Sequence, residues 1–441
     1  MSRIREQRGW YFYDWANSAF YTTVVTLFLG PYLTELARRA AHGGTYVYPL
    51  GIPVDYRSYW GYLVALSVAT QVAALPVVGA WADASGRKKH LLALFAYIGA
   101  AATTAMFWVR GEAYLLGGAL FLVANLSFGA STVIYNAFLP EIALPEERDA
   151  VSAKGWGLGY AGGGLLLALN LLLYQRAEIW GLSEELAIRI SLASAGVWWA
   201  VFSIIPLAVL ENRPAVEKLE PGRSLVGAGF LRVASTVRDL RRYPLTLLFL
   251  AAYLLYNDGI QTVITQASHF GSEELKIPIG VLTLAILMVQ FVAFFGALLF
   301  EGIARLAGSK NALMLSLAIW TGVLIFAYLS VTTTAQFFVM AAVVAVVLGG
   351  SQALSRSVFS LMIPKGSEAE YFSLYEISDK GTSWLGPLLF GLGLQLTGSY
   401  RFAILALIVF FLAGMALLWR VDVGRAAAQA QEPWRRGRQT T

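Results

Sequence analysis

Residues 211–242 read ENRPAVEKLEPGRSLVGAGFLRVASTVRDLRR, the one long polar interval in an otherwise apolar chain of 441 residues. It holds seven Lys or Arg. On each side lie apolar segments of the ~20 residues that a helix needs to cross a hydrocarbon core about 30 Å thick. Six precede it, near 10–38, 58–82, 89–109, 113–140, 151–175 and 186–209. Six follow, near 243–268, 278–302, 310–330, 334–362, 371–397 and 400–421. The expectation is an all-α integral membrane protein with twelve transmembrane helices in two six-helix bundles. The bundles would be 1–210 and 243–424, joined by the basic linker 211–242 and followed by a basic tail, 425–441.

Composition agrees. Apolar residues make up 57% and charged residues 14%, whereas soluble domains carry about 25% charged residues. Twelve spans with short loops leave no room for a soluble catalytic domain, and no P-loop, H-E-x-x-H or nucleophile elbow is present, so the chain does not read as an enzyme. With no cysteine there is neither a disulfide framework nor a thiolate metal site, and His42, His90 and His269 lack ligand spacing. No cofactor or metal is expected. The net charge of +6 reads as topology signals facing anionic lipid rather than as affinity for nucleic acid. Gly157-Leu-Gly159-Tyr-Ala-Gly162 matches the dinucleotide fingerprint G-x-G-x-x-G, but it follows no strand and sits in an apolar span. Small residues at that spacing serve a helix–helix seam.

Orientation follows from the basic residues. With the amino terminus inside, the inner segments collect 23 Lys or Arg and the outer ones 8, which places both termini in the cytoplasm. The compact loops look prokaryotic, so a bacterial inner membrane is expected; a monomer is the expected state. Trp108, Trp198 and Trp199 are candidate interface anchors.

Ionisable residues inside spans are the most telling feature, because each costs about 3 kcal/mol at mid-bilayer and so avoids lipid. In the first span Asp14, Asn17, Ser18 and Tyr21 form one polar stripe at helical spacing. Asn257, Asp258, Gln261, Thr262 and Thr265 repeat it in the seventh. Asn125, Thr132, Tyr135 and Asn136 lie on the fourth span, and Gln352, Ser355 and Arg356 on the tenth. The eleventh carries Glu376, Asp379 and Lys380. There Glu376 and Lys380 have the favourable i, i+4 order, and Asp379 is a candidate partner for Arg356 in a gate strut.

The halves echo one another, with Ser152-Ala-Lys154-Gly155 against Ser378-Asp379-Lys380-Gly381 and Thr23-Val-Val-Thr26 against Thr262-Val-Ile-Thr265. Between the second and third spans runs Gly79-Ala-Trp-Ala-Asp83-Ala-Ser-Gly86-Arg87-Lys88-Lys89. A topogenic loop needs its bases but not Asp83 or Gly79. The pattern resembles the loop motif of the major facilitator superfamily, which implies that fold, with Asp83, Gly86 and Arg87 latching the two lobes at the cytoplasmic side. The matching positions in the second half are Glu301, Arg305 and Gly308, where the acid is replaced by a base.

A narrower resemblance rests on Tyr13-Asp14-Trp15-Ala16-Asn17-Ser18-Ala19-Phe20, Lys154-Gly155-Trp156-Gly157-Leu158-Gly159-Tyr160, Gly349-Gly350-Ser351-Gln352-Ala353-Leu354-Ser355-Arg356-Ser357 and Gly386-Pro387. These look like the vacuole-effluxer branch of the superfamily, whose fungal members export amino acids. The resemblance implies a small-solute carrier working by alternating access, with helices one, four, seven and ten around a central cavity.

For a zwitterionic solute, Arg356 offers a planar fork to the carboxylate, and Asp258 or Asp14 would face the ammonium. Asn17, Tyr21, Asn125, Asn136, Asn257, Gln261 and Gln352 supply uncharged contacts. Glu376, Asp379 and Lys380 are candidates for gate or site, and Asp258 is the first candidate carrier should protons be coupled. Two competing readings are a proton-coupled exporter of lipophilic drugs and a membrane receptor that moves no solute.

Overall fold

In a computed structural model, residues 3–215, 242–380 and 385–431 are described. Most of the interdomain linker (216–241) and the end of the tail (432–441) therefore lie outside the described residues. Among the described residues, ten helices are long and apolar enough to cross a bilayer. They are built on α3 (Tyr59–Ser85), α4 (Lys88–Ala105), α5 (Tyr114–Ala137), α6 (Arg148–Gln175), α7 (Glu184–Val209), α8 (Pro244–His269), α9 (Ile279–Ala307), α10 (Ser309–Leu329), α11 (Thr334–Leu361) and the pair α14 (Tyr400–Ala406) and α15 (Ile408–Trp419).

The two remaining expected segments are helical but interrupted. α1 (Arg3–Ala19) continues through nine π-helical residues, Phe20–Phe28, into α2 (Leu29–Ala40). The eleventh segment is α12 (Glu368–Lys380) and the shorter apolar α13 (Leu385–Thr397), with 381–384 between them outside the described residues. The tail is not all coil. Val423–Gln431 forms a further helix, α16, that buries Ala426 and Ala430.

The helices pack as two sets. Before the linker, α1 lies on α6 and α7, and α4 on α5 and α7; after it, α9 lies on α11 and α8 on α15. The sets meet where α6 crosses α9 and α11, and where α12 crosses α3 and α5.

Glycines make the close crossings possible. A Cβ on Gly162 would fall 2.6 Å from the Trp15 carbonyl oxygen, and one on Gly157 3.2 Å from the Phe294 ring. One face of the Gly157–Gly164 run thus receives α1 and the other α9, so it is a packing seam.

The aromatic residues divide by depth. Trp108 is exposed, as an interface anchor should be. Trp199 is instead fully buried against Phe20 and Phe128, and Trp198 stacks on Trp15; neither is a free anchor.

A two-stranded hairpin, β1 (Tyr46–Val47) with β2 (Val54–Asp55), tops the connection from α2 to α3. There Arg57 donates twice to Asp55 and holds its carboxyl down at about 2.

Candidate functional site

Helical spacing brings Trp10, Asp14 and Asn17 of α1, with Tyr21 of its π-helical continuation, to one face, and the second set of helices answers with Arg356 on α11. Arg356 is only 2% exposed. An arginine so buried persists only when its charge is matched and its N–H groups are bonded. Both conditions hold. Nη1 donates to Asp14 Oδ2 at 3.0 Å and to Asn136 Oδ1 at 3.3 Å. Nε reaches Ser152 Oγ and Nη2 the Ser152 carbonyl, each at 2.9 Å. The rings of Trp10, Trp156 and Tyr135 surround the guanidinium at 4.8, 5.2 and 5.6 Å. Tyr135 Oη also donates to Asp14 Oδ2 at 2.8 Å. Gly155 leaves the room for this pair, since a Cβ there would lie 2.8 Å from Asp14 Oδ2 and 2.9 Å from Arg356 Nη2.

Above the pair opens a cavity of about 750 Å³ between the two sets of helices. Its polar floor is made by Asp14, Asn17, Asn136, Gln352, Arg356 and Glu376, with Tyr21, Gln261 and Asp379 beside them. Farther from the floor the wall is apolar, with Leu282, Ile286, Val289, Met340, Val344 and Ile404. Polar groups gathered at one end of a mostly apolar hollow suit a small amphipathic solute.

Beyond the floor the two sets close on one another at the end that carries the linker. Asp83, at the end of α3, accepts from the backbone N–H groups of Ala369 and Glu370 at 3.1 and 2.9 Å. These N–H groups belong to the first turn of α12, where a negative charge is stabilised. Lys88 Nζ lies 2.8 Å from Asp83, 2.7 Å from Glu141 and 3.1 Å from Glu368. Arg148 donates to the Ser360 carbonyl at 2.6 Å, and Ser152 Oγ to that of Ala353 at 2.7 Å. The linker root joins in, with Arg213 bonded to Glu6 at 2.8 Å and to Glu141 at 3.2 Å.

Several expected roles are relocated by these contacts. The base that meets Asp83 is Lys88; the neighbouring Arg87 side chain is exposed and makes no ion pair among the described residues. Gly86 turns the chain in the left-handed region at φ 60°, where the linker root packs on it. Asp379 is not the partner of Arg356, because its Oδ1 accepts from Tyr253 Oη and Asn257 Nδ2 at 2.9 and 2.8 Å. Glu376 accepts from Asn136 at 3.1 Å, and the Lys380 side chain lies outside the described set. In the second half Arg305 is bonded to Glu301 of its own helix.

Of the expected solute contacts, three stand off the cavity. Asn125 donates to Ser67 at 2.6 Å, and Asn257 links Asp379 to Gln352. Asp258 is buried against α13, where the Gly386 N–H approaches its carboxylate but neither oxygen meets hydrogen-bond geometry. Conversely, Trp10, Ser152, Lys88, Glu141 and Glu368 matter more than their sequence suggested. Each lies at a span end or reads as ordinary helix packing, and only the fold reveals its partner across the seam.

The profile of the family described as "Vacuole effluxer Atg22 like" matches residues 2–431. An uncharacterized MFS-type transporter of Bacillus subtilis, YxiO, is 32% identical over 94% of both chains. Autophagy-related protein 22-1 of Penicillium rubens is 26% identical, covering 97% of this chain and 91% of its own. Among solved structures, the human organic anion transporter MFSD10 superposes with a TM-score of 0.68 at 15% identity, over 95% of this chain and 100% of that one. A bacterial homologue of the iron transporter ferroportin gives 0.65 at 12%, over 95% and 98%. At such identities the structural likenesses speak for the fold alone. With its helices in the major facilitator arrangement and its sequence matched nearly end to end, this multi-pass membrane protein is a transporter rather than an enzyme, and it belongs to the Atg22-like vacuole effluxer family.

Proposed function

We propose that the chain is an alternating-access carrier of small zwitterionic solutes, amino acids foremost. The two bundles, 1–210 and 243–424, would rock about the cavity with both termini in the cytoplasm of a bacterial cell. The observation that carries this reading is the composition of the cavity floor, where the anionic Asp14 of the first half meets the cationic Arg356 of the second beside uncharged donors such as Asn17 and Gln352. A zwitterion needs that pairing, and a purely lipophilic compound does not. The family's description as effluxers, and the naming of relatives after autophagy, support export as the direction.

The test is counterflow of labelled amino acids in proteoliposomes. Wild type is expected to exchange at least one neutral amino acid, and Arg356→Gln to lose most of that exchange. Inactivity toward a full amino-acid panel, with uptake of lipophilic cations instead, would favour the drug-exporter reading to which the apolar wall lends itself. Solute binding without exchange would favour a receptor.

A proton is the candidate coupling ion and Asp258 its candidate carrier, being a buried carboxylate without a hydrogen bond among the described residues. An imposed pH gradient should drive accumulation in wild type. Asp258→Asn should keep exchange but lose accumulation.

A further inference from the structure

The Asp14–Arg356 pair occupies an unusual place for a solute-binding pair, because it is already complete. Arg356 has five N–H groups, and four of them are bonded within the protein. Three aromatic faces fix the plane of its fork. Among the described residues Asp14 is its one carboxylate neighbour. A solute carboxylate therefore reaches Arg356 by replacing Asp14, not by filling an open fork.

The same pair ties the two halves together. Asp14 comes from α1 and Arg356 from α11, and both line the cavity. The pair sits where the cavity ends and the closed seam begins. Ser152, bonded to Arg356 through both its hydroxyl and its carbonyl, also donates to Ala353 across that seam.

Charge balance then restricts what dissolves the pair. A solute bearing only a positive group takes Asp14 and leaves Arg356 buried without an anion. One bearing only a negative group leaves Asp14 in the same condition. Removing one partner of a buried pair carries a penalty equivalent to roughly a hundredfold or more. A solute with both charges replaces one buried pair by two and leaves no charge unmatched.

We propose that the Asp14–Arg356 pair is a brace which the solute exchanges: a zwitterion takes Asp14 with its ammonium and Arg356 with its carboxylate, and only so does the closed end come undone. The inference rests on the carrier reading above and specifies how the solute and the seam are linked. It makes Arg356 part of the lock as well as part of the site, and it makes net-neutral double charge the selection rule.

The test uses the full chain in proteoliposomes. Because the protein has no cysteine, Glu146→Cys and Lys365→Cys place two spin labels at exposed positions on either side of the closed end. One amino acid that exchanges in counterflow is compared with its methyl ester, which is cationic, and its N-acetyl derivative, which is anionic. The parent amino acid is expected to lengthen the label-to-label distance. Both derivatives, at equal concentration, should leave the solute-free distance unchanged and exchange roughly a hundredfold more slowly. In the Asp14→Asn/Arg356→Gln double variant the longer distance should be populated without solute, and solute should no longer change it. The proposal is overturned if either derivative opens the seam as readily as the parent, or if the double variant keeps the short distance and the normal response. The wild-type comparison of three solutes stands even where the double variant fails to fold. Failure of every amino acid to exchange sinks the carrier reading and this proposal together. Exchange of amino acids with equal exchange of their singly charged derivatives sinks the brace alone.

Discussion

Lys88 and Arg87 differ by one position and, in the fold, by almost everything else. Lys88 holds three carboxylates with its side chain 10% exposed, whereas Arg87 faces outward. Lys88→Met should therefore destabilise the closed form by about 3–5 kcal/mol, because Asp83, Glu141 and Glu368 would crowd one another without a cation. Arg87→Ala should stay within about 0.5 kcal/mol. Thermal unfolding of the two variants in detergent checks the contrast, and equal effects would mean that the latch is assigned to the wrong base. The loop motif resolves this interval in sequence but not the choice between adjacent bases, which depends on how α4 starts. The same limit explains Asn257 and Asp258. Consecutive residues on a helix point about 100° apart, so the two meet different neighbours. Asn257 turns toward α11 and α12, and Asp258 away toward α13. Asn125 fails for another reason. It shares a helical face with Asn136 eleven residues on, but about 16 Å of rise separates them, and periodicity reports the face without the depth.

Among the elements, α6 and α12 do the joining. Asp83 meets α12 at the backbone N–H groups of its first turn, so Asp83→Asn should weaken the contact by about 1.5–3 kcal/mol, the range for hydrogen bonds to a charged group. Gly79 permits that approach, since a Cβ there would fall 2.5 Å from the Ala369 carbonyl oxygen. Gly79→Val should hold α3 and α12 apart and favour the form open at the linker end. Faster labelling of a single cysteine at Ala369 would report it, and unchanged labelling would count against the latch. The spans themselves were readable from apolar length and polar punctuation. Their interruptions were not. The π-helical stretch Phe20–Phe28 has no proline to announce it, and it carries Thr22, whose hydroxyl lies 3.3 Å from the Gly163 carbonyl oxygen of α6. π-Helical turns are commonly placed at functional positions. This one faces α6 with Thr22 at Gly163 and Thr23 at Asn170.

For the whole molecule, polar contacts across the seam gather at the linker end: Asp83 with α12, Lys88 with Glu368, Arg148 with Ser360, Ser152 with Ala353 and Asp149 with Ser309. If the halves must part here for solute to pass, a disulfide between Ser152→Cys and Ala353→Cys should arrest counterflow under oxidising conditions and release it on reduction. Undiminished exchange in the oxidised protein would contradict the rocking cycle. The hydropathy of the chain and the repeat between its halves made the two-set plan legible. No single sequence feature could disclose which end is shut, because that depends on pairings such as Asp14 with Arg356, 342 positions apart.

Glu141 is where two of these systems touch. One of its oxygens binds Lys88 of the latch and the other binds Arg213, at the root of the linker, which is anchored in turn to Glu6. A pull on the root of the linker would thereby reach the same carboxylate that keeps the door shut.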